Sequence, residues 1–368
     1  MRFHILALAH QCCTDRVTSC AYSMKVLNLA RGLKAAGHFV ILYHAGSDVK
    51  EGIADAYVQV VNDTTMAELY GPDFASTYNQ GWKGGDKAWK EFQRRAAHAV
   101  AGNLQTDGTD FVLCSFGNLH HPACPAEAAA VTVEMGIGYE GFFAKRKVWE
   151  SYAWQAYMHA VTRGTLDPRF NDAVPRGVPD PRYDTVIPNY LNAEAFTPNL
   201  GARQKHALFL GRVIESKGVM DAYQACQMVG IKLVIAGKGD PDFIARMPAA
   251  EYLGMVGQTE RAKLLSEAAV LMCPTRYFEP FGGVAIEAAY SGTPTIGSDW
   301  GAFPETIIEG ITGFRVRDQF QMAAALQNLG QIKSEDCHQW GSQFTLDRIV
   351  KKYERYFTHQ TLLREHNA

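Results

Sequence analysis

Apolar residues recur along this chain as short continuous runs separated by stretches with helical spacing. FHILALA (3–9), FVILYHA (39–45), HALFLG (206–211) and IKLVIAG (231–237) read as strands covered on both faces. After the first run, Tyr22, Val26, Leu29, Ala30 and Leu33 repeat at the spacing of one helical face, and Gly37 stops that helix before the second run begins. The same order of strand, loop, helix, glycine and strand returns in the second half, with a helix near 218–229 and Gly230 before IKLVIAG. Two such units predict an α/β protein with two Rossmann-like, doubly wound parallel-sheet domains.

Between them, DFVLCSFG (110–117) and AVTVEMG (130–136) read as further strands of the first domain, and VWESYAWQAYMHAV (148–161) as a helix. Arg163 to Arg182 is rich in Pro, Gly and Asp and reads as a long loop. DTVIPNYLN (184–192) gives a last strand and FTPNLGARQ (196–204) a linker, so we place a first domain at 1–195 and a second at 196–345. The second continues through VLMCPT (270–275) and TPTIGSD (293–299), with helices to the end.

Composition narrows the function. With 36 basic and 38 acidic side chains the net charge is −2, so no bulk field favours nucleic acid and any anion site must be local. No run reaches the roughly 18 apolar residues of a membrane span, and MRFHILALAH carries no small-residue cleavage site. A cytoplasmic location is expected. The eight cysteines form no repeated CxxC pairs and several fall in apolar strands, which suggests reduced, buried thiols. His10, Cys12, Cys13 and Cys20 with His120, His121 and Cys124 lack the close pairing of zinc ligands, and we expect no metal. FFAKRKVW (142–149) sets Lys145, Arg146 and Lys147 among aromatics; a solvated helix face is the reading adopted, with peripheral contact to a membrane or anionic acceptor as its alternative.

The stretch RYFEPFGGVAIEAAYSG (276–292) holds the candidate chemistry. In parallel sheets, ligands bind beyond the carboxyl ends of the strands. Here a strand is followed by Gly282 and Gly283, which allow close backbone approach, and then by a helix start whose free N–H groups suit a phosphate. Glu279 before the turn can reach hydroxyl groups, and Glu287 inside the helix can accept two bonds from a ribose diol. A chain this long holds about one such glutamate pair by accident, so context decides. Arg212 and Lys217, in FLGRVIESKG after the first strand of the same domain, add a planar fork and a point charge for phosphate oxygens.

GRVIESKG, IAGKGD, PTRYFEPFGGVAIEAAYSGTP and GAFPETIIEGITGF, in this order over residues 205–318, resemble the C-terminal domain of the retaining GT-B glycosyltransferases of group 1, family 4-like, with its E-x7-E motif. The resemblance implies a hexosyltransferase acting on a nucleotide diphosphate sugar, UDP-glucose first, and a saccharide or lipid-linked acceptor, without metal or cofactor. It implies that Arg212 and Lys217 bind the diphosphate, Glu279 the transferred sugar and Glu287 the ribose. Backbone at Gly211, Phe281, Gly282 and Gly283 would line the donor, and Gly237, Lys238 and Gly239 the base. RIVKKYERYF (348–357), in 346–368, corresponds to the family's final helix, which crosses back onto the first domain. The first domain matches less well: the loop HQCCTDRVTSC holds no glycine, and EMGIGYEG stands where many members carry a histidine.

On the acceptor side we name Gly136, Gly138, Tyr139 and the pair His120 and His121 in a loop facing the expected cleft between the domains. Gly136, Gly138 and Gly141 also spell GxGxxG, which keeps an NAD-dependent oxidoreductase as an alternative beside a nucleotide-sugar epimerase of the same fold. The fingerprint belongs after the first strand of a domain, and here it does not lie there. Asp240-Pro241-Asp242 mimics a metal-binding DxD but reads as a helix start.

Overall fold

The computed structural model describes residues 1–17, 20–79, 81–105, 109–164, 180–201 and 204–367. Most of the stretch read as a long loop, Arg163 to Arg182, lies outside them. The chain divides into two units: 1–150, 155–188 and 346–368 form the first, and 151–154 with 189–345 the second. The junction therefore falls at Pro188 and not at 195.

In the first unit β1 (Arg2–Leu6), α1 (Ala21–Ala35), β2 (Phe39–Ala45), β3 (Ala56–Val61), α2 (Asp63–Tyr70), α3 (Lys87–Asn103), β4 (Phe111–Cys114), β5 (Val131–Ile137), β6 (Arg146–Trp149), α4 (Tyr152–Gly164) and β7 (Asp184–Val186) follow in order. The strands form one parallel sheet ordered β3-β2-β1-β4-β5-β6-β7. Its interior strands are buried along most of their length, as their unbroken apolar runs require. On α3, Ala88, Trp89, Phe92, Ala96 and Val100 are buried at helical spacing, and Asp86 caps the helix by accepting from Trp89 N–H at 3.0 Å.

The second unit runs β8 (His206–Leu210), α5 (Val219–Val229), β9 (Lys232–Ala236), α6 (Pro241–Ala245), β10 (Glu251–Gly254), α7 (Gln258–Glu267), β11 (Val270–Cys273), α8 (Gly283–Tyr290), β12 (Thr295–Ser298), α9 (Phe303–Thr306), β13 (Gly313–Val316), α10 (Gln319–Gln327) and α11 (Ser334–Gly341). Its parallel sheet is ordered β10-β9-β8-β11-β12-β13, with one apolar cluster built on Leu208, Leu271 and Ile286 and another on Phe209, Met272 and Leu326. The last helix, α12 (Leu346–Asn367), returns to the first unit. It packs on α1 so closely that a Cβ on Gly32 would lie 2.5 Å from Val350 Cγ2. Phe357 is fully buried there against Phe3 and Phe111, worth about 1.5–3 kcal/mol of burial.

Three expectations change. The stretch 148–161 is not one helix: Val148 and Trp149 finish buried strand β6, and α4 starts at Tyr152, where Ser151 Oγ accepts from Trp154 N–H at 3.0 Å. Arg146 and Lys147 are therefore no solvated or membrane-facing surface. Both are buried: Arg146 donates to Glu127 and Gln360, and Lys147 pairs with Asp184 at 3.0 Å, leaving Lys145 as the exposed cation of the run. The end of the second domain is not all helical, since β13 extends its sheet. No described helix is long and apolar enough to cross a membrane.

Candidate functional site

Strand order reverses direction between β8 and β11, which pair with each other while their next partners lie on opposite sides. The loops leaving their carboxyl ends diverge there, and that geometry opens a crevice in a doubly wound sheet. Residues 211–218 follow β8 and residues 274–282 follow β11, so the sheet itself delivers the predicted donor-site residues to one edge.

Contacts between loops fix the edge. Gly211 and Gly237 touch through their backbones: a Cβ on Gly237 would lie 1.8 Å from the Gly211 carbonyl oxygen. Val213 N–H then donates to the Lys238 carbonyl at 2.8 Å, and Val213 forms a bridge with Gly239. Arg212, between them, is exposed, and its guanidinium has no ion-pair partner among the described residues. Residues 215–217 make one tight turn, after which Gly218 at φ 70° begins α5 against the Pro274 carbonyl. Arg276 N–H donates to the Ser216 carbonyl at 2.9 Å, joining the two loops.

Lys217 and Glu279 meet across this junction. Lys217 Nζ donates to Glu279 Oε2 at 3.0 Å and sits 4.7 Å from the centre of the Tyr277 ring. Burial pulls the Lys217 pKa down, but Glu279 and Tyr277 outweigh it and raise it, so the ammonium stays charged. Glu279 is held by its backbone, whose carbonyl accepts from Ala302 N–H at 2.9 Å. Phe281 is buried in the core, and Gly282 at φ 77° leaves no room for a side chain, since a Cβ would lie 2.7 Å from Phe303. Gly283 opens α8.

Glu287, on α8, accepts from Arg261 Nε at 2.9 Å and from Arg261 Nη2, both at Oε2. Its Oε1 has no hydrogen-bond partner among the described residues. Arg261, on α7, escaped the sequence reading because nothing in the spacing of QTERAKLL links it to a helix 26 residues away. Burial, chiefly, pushes the pKa of the Cys273 thiol at the end of β11 up to about 12. Asp240 caps α6 by accepting from Asp242 and Phe243 N–H, the helix start that its sequence implied.

The acceptor-side residues of the first unit fare differently. His120 does not face outward: it is fully buried, Nδ1 accepting from Ser115 N–H at 3.2 Å and Nε2 donating to the Ala7 carbonyl at 2.9 Å. A neutral ring satisfies both bonds, and burial holds its pKa down at about 3, so His120 is structural and no general base. His121 is exposed and stacks on Phe143 at 4.6 Å. Tyr139 is turned inward, donating to Glu134 Oε1 at 3.2 Å, and the carbonyls of Gly136 and Gly138 accept from Lys25 Nζ and Tyr22 Oη. A Cβ on Gly138 would meet the Glu150 carboxylate, the end of a side chain that can turn aside. The GxGxxG spacing leads from β5 into β6 with no helix between, unlike a dinucleotide fingerprint.

Buried neutral histidines make the first unit acid-sensitive. His4, His10, His44 and His120 all have pKa values depressed by burial, His10 to about 4. The unfolded chain takes up protons near pH 6.5 that the folded unit refuses, so stability present above that pH is lost as pH falls toward about 4. Glu134, which burial raises to about 7, acts in the opposite sense and offsets part of the loss. Urea melts should therefore show a net fall on the order of a few kcal/mol between about pH 7 and pH 4.5; a flat profile would contradict the buried neutral assignments.

Known proteins resemble the second unit in sequence and the whole chain in fold. Residues 204–331 match the family described as Glycosyl transferases group 1. The chain is 37% identical over 137 residues to a glycogen synthase of Mycobacterium tuberculosis, covering 33% of each. It is 30% identical over 135 residues to a phosphatidyl-myo-inositol mannosyltransferase of Mycobacterium leprae, covering 32% of this chain and 34% of that one. These matches span about a third of the length of the curated relatives. Along 97% of the chain the fold matches Anabaena HepE, solved in complex with UDP and glucose, with a TM-score of 0.68, 12% identity and 99% of that chain covered. The architecture is a two-domain Rossmann-like GT-B fold.

Proposed function

We propose that the protein is a retaining, metal-independent glycosyltransferase that moves a hexose from a nucleoside diphosphate sugar to a saccharide or lipid-linked acceptor. UDP-glucose is the first donor to test, since HepE, of the same fold, was solved with UDP and glucose. The observation that carries the reading is the Lys217–Glu279 pair at the β8/β11 switch point, with Arg212 exposed in the same loop as Lys217.

When the sugar–phosphate bond breaks, negative charge grows on the departing diphosphate. Lys217 and the N–H groups at the start of α8 meet it from fixed positions, the arrangement that lowers such a barrier most, and Arg212 adds a free guanidinium from the same loop as Lys217. Glu279 aims Lys217 and offers its carboxylate to the sugar hydroxyls. Glu287, steadied by Arg261 on Oε2, uses Oε1 to accept from the ribose. The departing phosphate takes the acceptor proton, so the chain needs no nucleophile of its own.

Glu287→Ala should weaken donor binding by roughly 10- to 100-fold, the worth of a hydrogen bond to a charged group, with a smaller effect on kcat. Titrating the donor in initial-rate assays checks this. The reading itself is tested by incubating the protein with UDP-, GDP- and ADP-sugars and saccharide or lipid-linked acceptors, and following the product by NMR. Transfer with the anomeric configuration of the donor kept is the expected result. Inversion, donor isomerisation without acceptor, or no turnover with any donor would contradict it.

A further inference from the structure

The first unit brings together two thiols that the proposed transfer does not use. Cys114 ends β4 and is fully buried. Cys124 closes the loop that follows, and the two Sγ atoms lie 3.3 Å apart. Cys124 Sγ also donates to the His120 carbonyl at 3.3 Å, while Ala123 and Cys124 N–H groups donate to His120 and His121 carbonyls. The loop is thereby folded so that its far end rests on the strand it left. Of the eight cysteines, Cys124 alone is not buried.

We propose that Cys114 and Cys124 form a reversible redox pair, oxidised to a disulfide by exchange with a small-molecule disulfide. The sulfurs, 3.3 Å apart, need to close by about 1.2 Å to reach bonding distance. Exposure assigns the order of events. Cys124, the less buried of the two, attacks as its thiolate one sulfur of the reagent; the reagent's S–S bond breaks, and the leaving sulfur takes up the proton Cys124 gave up, departing as a thiol. Cys114 then gives its proton to solvent and attacks the Cys124 sulfur, expelling the second thiol. Two electrons pass from the cysteine pair to the reagent, and dithiothreitol reverses the sequence. Burial raises the Cys114 thiol pKa, which suits the resolving role and not the first attack.

The bond would cinch the segment between Ser115 and Ala123, which carries His120 and its hydrogen bond to the Ala7 carbonyl just beyond β1. It would stiffen the carboxyl edge of the first sheet, the edge where doubly wound domains hold their ligands.

The test uses the full chain treated with oxidised glutathione, denatured, alkylated and mapped by mass spectrometry. The free-thiol count should fall from eight to six, with Cys114 and Cys124 linked in one peptide pair. Cys114→Ser should stop at one glutathione retained on Cys124, and Cys124→Ser should take up none. Wild-type protein in which both cysteines remain open to alkylation, or a link between other cysteines, would overturn the proposal. So would a Cys114→Ser protein without adduct.

Discussion

Lys217→Ala should lower kcat by roughly 100- to 1,000-fold, the loss that follows removal of one fixed group opposite developing negative charge. The same change should alter donor affinity far less, because the diphosphate gains charge only as the sugar leaves. The structure gives the reason for so large an effect. Lys217 is partly buried, held at 3.0 Å by Glu279 and against Tyr277, so it does not reorganise when the bond breaks. Its pKa is raised, so the rate should show no limb from this residue between about pH 6 and pH 9. Lys217→Arg should recover only part of the loss, since a planar fork does not replace a point charge seated between a carboxylate and a ring. Single-turnover kinetics with saturating donor separate this from slow product release; a loss confined to KM would contradict the role.

The second large effect concerns backbone. Gly218→Ala should destabilise the second unit by about 3 kcal/mol or more, the sum of a left-handed residue bearing a Cβ and a displaced carbonyl. At φ 70° its Cβ would lie 1.9 Å from the Pro274 oxygen, so the loops after β8 and β11 must separate. Turnover should fall with stability, because that separation carries Lys217 away from Glu279. Gly230→Ala is the control. It sits at φ 69° at the other end of α5 with nothing within 4 Å of its Cβ position, and should cost only about 1–2 kcal/mol. Urea melts of the two variants distinguish close packing from backbone conformation alone; equal losses would remove the argument that this glycine holds the loops together.

The parts of the fold legible in sequence were those whose environment leaves a local mark. β1, β2, β8 and β9 are covered by helices on both faces, so they read as unbroken apolar runs. β3 lies at the sheet edge with Gln59 exposed within it, and its half-wet pattern hid it. β6 was concealed by its charges. Arg146 and Lys147 look solvated until Glu127, Gln360 and Asp184 arrive from distant segments to pair with them. No window on RKVW contains that information.

The candidate site divides in the same way. Arg212, Lys217, Glu279 and Glu287 stood out because each lies in, or one turn beyond, a loop that follows a parallel strand. Arg261 did not, since its role exists only through the packing of α7 beside α8. His120 misled for a related reason. Its loop is polar in sequence, yet a tight turn folds it inward, where Ser115 N–H and the Ala7 carbonyl compensate the buried ring. In the first unit, the carbonyls of Gly136 and Gly138 accept from Lys25 and Tyr22, contacts that no local spacing announces.

On the proposed function, the β8/β11 edge holds a nucleoside diphosphate through its own side chains. Calorimetric titration of UDP, GDP and ADP into the full chain, with a chelator present, tests it most directly. At least one of the three should bind wild type saturably, weakened at least about 10-fold in Glu287→Ala. Absence of binding by all three, or equal affinity in the variant, would contradict it.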